Sequence, residues 1–581
     1  MKQSGTFLLF LFLAGLALGQ DFRQYESFTT KTRWSSSTGI DSLNHSSQRD
    51  LYPFTQPIEF DRSYPFKKNW ANLLYNKVFH ENLVLIDKPG YLITADPLFD
   101  VGLGRETVRN TPLWLNTRGV QVYGRIELGR KVKSIKNVKK GENGKSGERD
   151  SVVGGQPVVE FYTSYYESQG RFPHYMDSVA SISGGIPGQG SIYRPSGIWD
   201  HSYSTAWTRY TPNRIFSFEL GTGKNFFGNG YRSMLLSDNA RNYPYFRIDT
   251  RFWRIHYTNL WSEFQDVNYR MDPKSPYQKK YGAFHYLSYS ITNRLELSFF
   301  EAIIWQGRDS LHTRGFEFNY LNPIIFLRPV EWTLGSPDNA LLGLNLNYKI
   351  LENSSIYGQL LIDEFPIAHL KARDGYWANK YGGQIGAKGF FKIREASSVK
   401  REAEDSTSLS LHASPLTPHD SPHGKKVFLQ SELNFARPYT YSHWTSKQNY
   451  GHFNQPLAHP LGANFIEWVS FARLHWDRFL VEGRYSWAKF GANYDGLNYG
   501  QDIFLSYDNY VNDLGNYIGQ GLSTTLTYKT ITCSYLLNPA SLLNIFVTLS
   551  DRHQVNKNQD MHNLWLSFGI RNSLRNFYYD Y

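Results

Sequence analysis

A single cysteine, Cys533, in 581 residues excludes a disulfide framework and any cysteine-built zinc or iron–sulfur centre. Charge is sparse as well, at 19% of residues, where soluble proteins carry about 25%. Mean hydropathy is −0.48, and after the first twenty residues no apolar run is long enough to make a membrane-spanning helix. What the chain has in excess is rings: 41 Tyr, 39 Phe and 15 Trp, together 16% of the sequence. Side chains of this kind bury enough surface to fold, so disorder is excluded. The composition fits a large, aromatic-rich, all-β protein.

The N-terminus reads as an export signal. Lys2 supplies the positive start, Phe7 to Leu18 a short apolar core, and Ala17-Leu18-Gly19 a small-x-small cleavage site. Residues 1–19 are therefore expected to be a signal peptide, with Gln20 opening the mature chain. The formal charge is +11, and about half the surplus sits in two polar inserts, 131–156 and 391–426, which read as solvated, flexible segments. No nucleic-acid partner is implied.

Along the rest of the chain the dominant signal is alternation with period two. Leu342, Leu344, Leu346, Tyr348 and Ile350 interleave with Gly343, Asn345, Asn347 and Lys349. Val427, Leu429, Leu433 and Phe435 oppose Gln430, Glu432 and Asn434. Leu564, Leu566, Phe568 and Ile570 oppose Ser567, Gly569 and Arg571, while Glu482, Arg484 and Ser486 oppose Val481, Tyr485 and Trp487. Charged residues on the second face of strand after strand suit a wet interior and an apolar exterior, the pattern of a transmembrane antiparallel β-barrel. Candidate strands start near Tyr91, Arg118, Pro157, Asp200, Asn213, Pro244, Phe252, Gly282, Arg294, Ala340, Ser355, Tyr381, Val427, Ala463, Phe479, Leu522, Ser541 and His562, about eighteen in all. The barrel is expected to span 91–581.

An even count places both ends of the barrel on one side. Turns such as Thr211-Pro212-Asn213, Glu352-Asn353-Ser354 and Asn538-Pro539-Ala540, and both inserts, then fall in the periplasm. The connections 167–199, 225–243, 305–339, 437–462 and 491–521 fall outside the cell. The segment 20–90 is expected to be periplasmic and to carry a helical plug near Phe66 to Asp87, with Trp70, Leu73, Leu74 and Val78 on one face. The alternative is a helix packed on the barrel rim.

Several blocks resemble a known family. Gly223-Lys224-Asn225-Phe226-Phe227-Gly228-Asn229-Gly230-Tyr231-Arg232-Ser233, continued by Leu235-Leu236-Ser237-Asp238-Asn239-Ala240, is similar to the signature of the Wzi capsule-assembly outer-membrane proteins, and closer still to their Bacteroidetes relatives, the RemB-like gliding-motility proteins. Tyr320-Leu321-Asn322-Pro323 with Arg328-Pro329-Val330-Glu331, Gln455 to Asn464, Gly569-Ile570-Arg571-Asn572 and Tyr578-Tyr579-Asp580-Tyr581 resemble further blocks of that subgroup. The resemblance covers most of 90–581, leaving out the inserts. It implies an eighteen-stranded barrel with a helical periplasmic plug that acts as a lectin for surface polysaccharide. Where the capsule protein has a tryptophan before its glycine signature, this chain has Phe226-Phe227, and no binding residue is carried over.

Candidate ligand residues come from the loops themselves. Segment 437–462 holds Tyr439, Tyr441, Trp444, Tyr450, Phe453, Asn454 and the histidines His443, His452 and His459, without one Asp or Glu. Rings stack on the CH faces of sugars, amides and imidazoles bond to hydroxyls, and Arg437 and Lys447 suit uronate carboxylates. Segment 225–243 adds Tyr231, Arg232, Asp238, Asn239, Arg241 and Tyr243. The competing reading for each ring is an aromatic girdle or loop-on-loop packing.

Catalytic motifs fail on spacing. Gly144-Lys145-Ser146 has Lys139 where a phosphate loop needs its first glycine, His80-Glu81 lacks the second histidine of a zinc helix, and no G-x-S-x-G elbow occurs. The three loop histidines are more readily separate surface groups than metal ligands, and no cofactor is called for. The expectation is a non-enzymatic outer-membrane barrel whose external loops bind surface or capsular polysaccharide, in capsule attachment or gliding. Its partners would be outer-membrane lipid and other export or motility proteins of the cell surface; the alternative is a porin or transporter channel.

Overall fold

The computed structural model describes Ser47 and residues 70–129, 156–190, 198–268, 276–308 and 313–581, apart from 325, 326, 328, 329, 331, 332, 337, 352, 394–424, 477, 539 and 573–577. The signal segment, most of 20–69 and nearly all of both inserts lie outside the described residues.

Eighteen long strands form the body: β1 (Tyr91–Glu106), β2 (Pro112–Glu127), β3 (Val158–Arg171), β4 (Trp199–Thr211), β5 (Phe216–Gly223), β6 (Tyr243–Phe252), β7 (Ile255–Asp266), β8 (Gln278–Ser290), β9 (Leu295–Gln306), β10 (Asn339–Leu351), β11 (Ser354–Glu364), β12 (Lys380–Ile393), β13 (Lys425–Ala436), β14 (Phe465–Trp476), β15 (Phe479–Ala492), β16 (Leu522–Asn538), β17 (Leu543–Asn556) and β18 (Gln559–Asn572). Each pairs antiparallel with the next, and β1 returns to β18 through the register Asp100↔Arg571 to Glu106↔Trp565, closing the barrel. A short strand, Val84–Lys88, pairs with the first part of β1 in line with the end of β18. Every expected strand is present; the largest offset is at β2, expected near Arg118 and beginning at Pro112.

The alternation read from the sequence sorts the two faces. Leu342, Leu344, Leu346 and Tyr348 of β10, and Leu564, Leu566 and Phe568 of β18, are exposed on the outer wall. Gln430, Glu432 and Asn434 of β13 are buried inside. A soluble protein would invert this arrangement; a barrel in lipid requires it. The connections are unequal as well. One end carries the short turns at 212–215, 253–254, 291–294 and 540–542 and the flanks of both inserts, and the other end carries every long connection except the inserts. We call these the turn end and the loop end.

An eighteen-stranded barrel leaves a wide lumen, and here the chain fills it. Segments 225–243 and 437–462, expected as external loops, fold inward from the loop end. Phe227, Met234, Leu235, Leu236, Tyr441, Tyr450, Leu457 and Ala458 pack there against inward-facing Tyr245, Leu260, Phe264, Phe284, Tyr286 and Phe300 of the wall. The physical reason is that these segments are apolar as well as ring-rich, and the lumen offers them a dry partner surface. The helix α1 (Trp70–Phe79) is shorter than the sequence suggested, because Val84–Lys88 leaves it to pair as a strand. Its carbonyls at Lys77 and Val78, and that of Glu81 just beyond it, accept from Asn538 Nδ2 at 3.2, 3.1 and 2.9 Å, which ties it to the turn-end rim. Its apolar face, Trp70, Leu73, Leu74 and Val78, is exposed. Among the described residues the lumen is occupied by the two inward-folded segments together with Ser47, whose carbonyl accepts the Gly228 N–H at 2.7 Å, and Tyr578–Tyr581, while α1 stays at the rim.

The connection 307–338 takes a different path. Its described residues around Tyr320 and Leu327 lie on the outside of the wall, where outward-facing Trp261, Ala283, Ile303 and Trp305 bury against them. Trp261 Nε1 donates to the Tyr320 carbonyl at 2.8 Å, Tyr257 Oη to the Pro323 carbonyl at 2.7 Å, and Leu327 N–H to Glu301 Oε1 at 2.6 Å. Beneath this strap Asn259, His285 and Glu301 are register partners on β7, β8 and β9, with His285 Nδ1 3.4 Å from Glu301. Ionisable groups on a lipid-facing wall are destabilising. The strap replaces lipid there with protein, and turns Phe318, Leu321 and Ile324 outward instead.

Candidate functional site

Most of the residues singled out in the two ring-rich segments lie inside the plug. Tyr441 Oη donates to the Met234 carbonyl at 2.7 Å and Tyr450 Oη to the Leu235 carbonyl at 2.6 Å, so both hydroxyls join one inward-folded segment to the other. Asn239 Nδ2 donates to the Pro456 carbonyl at 3.1 Å, and Asp238 accepts from Tyr578 Oη. Arg241 lies over the Phe453 ring at 4.7 Å, and the half-buried Asn454 donates to Asn268 at 2.9 Å. Of the whole set Trp444 alone is exposed, at 42%.

Tyr231, Arg232 and His459 meet in a buried charge cluster against the wall. Arg232 Nη2 stands 2.9 Å from Glu467 of β14 and 3.0 Å from Asp580, and His459 Nε2 2.7 Å from the same Glu467. Glu432 of β13 accepts the backbone N–H of Tyr231 at 2.7 Å and of Arg232 at 2.9 Å. Burial alone would pull the Arg232 guanidinium down, but Asp580 and Glu467 more than offset it and hold the group well above its ordinary value.

The loop histidines are kept apart by different partners. His443 sits with its ring 5.5 Å from Tyr507, and His459 is bound to Glu467. His452 Nδ1 accepts the Gln265 N–H at 3.0 Å while Nε2 donates to the Asn242 carbonyl at 3.3 Å. Burial pushes His452 down to about 3, so the folded chain keeps it neutral. Above the ordinary histidine value both folded and unfolded chains hold it neutral, and its contribution is complete. As pH falls from about 6.5 toward 3 only the unfolded chain takes the proton, and stability on the order of 4 kcal/mol is lost progressively. The urea midpoint of the wild-type barrel should therefore drop between pH 6.5 and 4 more steeply than that of His452→Gln; parallel pH profiles would refute the assignment.

Exposed rings gather instead at the loop end, on three connections stitched together. Segment 365–379, which carries the short helix α3 (Ile367–Ala372), is bound to 493–521 by Trp377 N–H to the Asp513 carbonyl at 3.0 Å, Gly515 N–H to the Asp374 carbonyl at 2.8 Å and Asn516 N–H to the Gly375 carbonyl at 2.8 Å. Tyr507 N–H reaches the His443 carbonyl at 3.4 Å, joining the third segment. On this frame Trp377 stacks on Tyr510 with centroids 4.6 Å apart and planes at 11°, Tyr507 lies 5.1 Å from Trp377, and His369 stacks on Tyr376 at 4.1 Å. Trp377, Tyr376, Tyr507 and Tyr510 are all half-buried, each partly open to solvent. Trp444, next to His443 in the sequence, is exposed. Lys380 Nζ lies 4.6 Å from the Tyr507 centroid at the base of the shelf. Sequence reading passed over Tyr376-Trp377 because their connection is short; the signal was an adjacent ring pair following a glycine, Gly375, at φ 72°.

Rings held by backbone bonds from three loops offer a preformed surface, and the neighbouring Asp374, Asp508 and Asn509 offer hydrogen-bonding groups beside it. Among the described residues no group of three or more His, Cys, Asp or Glu is placed to hold a metal ion.

No family model matches the chain, and no curated protein does. Solved structures to which it is similar include Wzi, an outer-membrane protein involved in group 1 capsule assembly in Escherichia coli and described as a carbohydrate-binding β-barrel, at 13% identity over 81% of this chain and 83% of that one, with a TM-score of 0.43. OprD of Pseudomonas aeruginosa matches at 10% identity over 83% and 96% of the two chains, TM-score 0.37. OccAB4 of Acinetobacter baumannii matches at 6% over 84% and 98%, TM-score 0.39. Likenesses this distant assign no function; the chain's own pairing establishes the closed eighteen-stranded barrel.

Proposed function

We propose that this protein is an outer-membrane barrel that holds surface polysaccharide at its loop end, as a binding protein rather than an enzyme, in capsule attachment or gliding. The observation that carries the reading is the shelf of rings at Trp377, Tyr510, Tyr507 and Tyr376, open to solvent at the end away from the short turns. The apolar outer wall supports a membrane location. The filled lumen weighs against a steady pore. The description of Wzi as a carbohydrate-binding barrel agrees with this reading.

Binding of the purified barrel to the host's own surface glycan should be measurable by calorimetry. Trp377→Ala and Tyr510→Ala should each weaken it by roughly ten- to a hundredfold, on the scale of about 1–3 kcal/mol for loss of a stacked ring. A wild-type barrel that binds no surface polysaccharide, together with a deletion strain normal in both capsule and gliding, would sink the proposal. A large, steady single-channel conductance would favour the transporter reading instead.

A further inference from the structure

β18 ends at the turn end, yet Tyr578 and Asp580 lie in the lumen against Tyr231 and Arg232. Tyr175 of α2 (His174–Ser183) donates its hydroxyl to the Tyr579 carbonyl at 2.5 Å, and Gln189 Nε2 donates to Tyr579 Oη at 3.0 Å. Tyr578 packs its ring 5.1 Å from that of Tyr231. Between these contacts Asp580, 1% exposed, places its carboxylate 3.0 Å from Arg232 Nη2 and 3.4 Å from Arg484 Nη1, and Tyr231 Oη donates to it at 3.2 Å. The two guanidiniums are flanked by rings: Arg232 lies 4.7 Å from the Tyr231 centroid, and Arg484 lies 5.1 Å from Tyr231 and 5.0 Å from Phe471.

Neither arginine depends on Asp580 for a partner. Arg232 has Glu467 at 2.9 Å, and Arg484 has Glu482 at 3.3 Å, both on the wall. Beyond those pairs Arg232 Nη1 and Arg484 Nε are buried without a hydrogen-bond acceptor among the described residues. The site thus has more donor capacity than its occupant uses, and that occupant lies on Tyr578–Tyr581, which belongs to no strand and can leave without breaking a strand pair. Guanidinium donors suit a carboxylate, and the flanking rings suit the CH face of the sugar that bears it.

We propose that Arg232, Arg484 and Tyr231 form a carboxylate site in the lumen, filled in this structure by the chain's own Asp580, which receives the carboxylate of a hexuronate-type sugar when Tyr578–Tyr581 withdraws toward the turn end. It rests on the polysaccharide reading above and adds a second, internal position to it. A tethered occupant competes at an effective concentration on the order of millimolar, so the wild-type protein masks the site from dilute ligand.

The experiment is calorimetry on the purified full-length barrel in detergent, with sodium glucuronate, glucose and acetate as probes. Asp580→Ala should bind glucuronate roughly tenfold more tightly than the wild type, or better, and should not bind glucose. Adding Arg484→Gln to Asp580→Ala should remove the gain. Asp580→Asn, which keeps the side-chain volume, is read in the same way should the alanine variant not fold, folding being checked by strand circular dichroism. A folded Asp580 variant no tighter for glucuronate than the wild type overturns the proposal, and so does equal binding of acetate, which would make the site a generic anion position. If glucuronate behaves as expected while the wild type binds no polysaccharide, the loop-end reading falls and the lumen site stands. The opposite pattern removes the lumen site alone.

Discussion

Arg232→Met should destabilise the folded barrel by about 3–5 kcal/mol, the largest effect of any single substitution in the plug. The guanidinium is 1% exposed and serves Glu467 and Asp580 together. Methionine fills much of the volume and adds no charge, so the loss comes from two carboxylates left short of a counter-charge inside the protein. Glu467 retains His459, which limits the damage on that side. Asp580 retains Arg484, at 3.4 Å. The check is urea unfolding followed by circular dichroism, with Arg232→Met/Glu467→Gln as the companion variant. The double variant should recover part of the loss, because it removes one stranded charge. Equal stability of Arg232→Met and wild type would show that the cluster is solvated and does not act as a buried unit.

Phe227→Ala should be nearly as severe, at about 3–5 kcal/mol, for a different reason. Phe227 is fully buried, stacked on Tyr286 of β8 with centroids 4.6 Å apart and planes 5° off parallel, and edge-on to Phe300 of β9. Deleting the ring leaves a cavity between plug and wall that the closed barrel cannot contract to fill. The plug should loosen while the wall survives, so the readout is twofold: a lower urea midpoint and irregular current steps in a planar bilayer that the wild type lacks. An unaltered midpoint with a silent bilayer would mean that the plug is held elsewhere.

The strands were legible from the sequence because a lipid-facing wall forces strict alternation: Leu342, Leu344 and Leu346 can occupy no other face than the one they show. The plug was not, and the reason is chemical. Tyr441, Tyr450 and His452 in an acid-free segment satisfy the composition of a sugar site and equally that of a dry lumen filling, where hydroxyls and imidazoles find backbone partners. Composition cannot separate those outcomes, since both require rings with satisfied polar tips. Asp580 was legible only as part of a Tyr-Asp-Tyr block, because its partners Arg232 and Arg484 lie on distant segments of the sequence. Trp377 was missed because a pair of adjacent rings in a short connection has no period to detect.

The strap on β7, β8 and β9 bears on how the barrel sits among its neighbours. Lipid chains that ring the rest of the wall meet Phe318, Leu321 and Ile324 there instead of strand side chains, so the annulus of bound lipid is interrupted over one sector. Because Leu327 N–H and Trp261 Nε1 fasten the strap to strands already paired, this sector can be completed only after β7 to β9 are in place. The barrel is therefore unlike around its circumference, one sector presenting the strap and the rest presenting strand side chains, an asymmetry that the near-uniform strand pairing by itself does not supply.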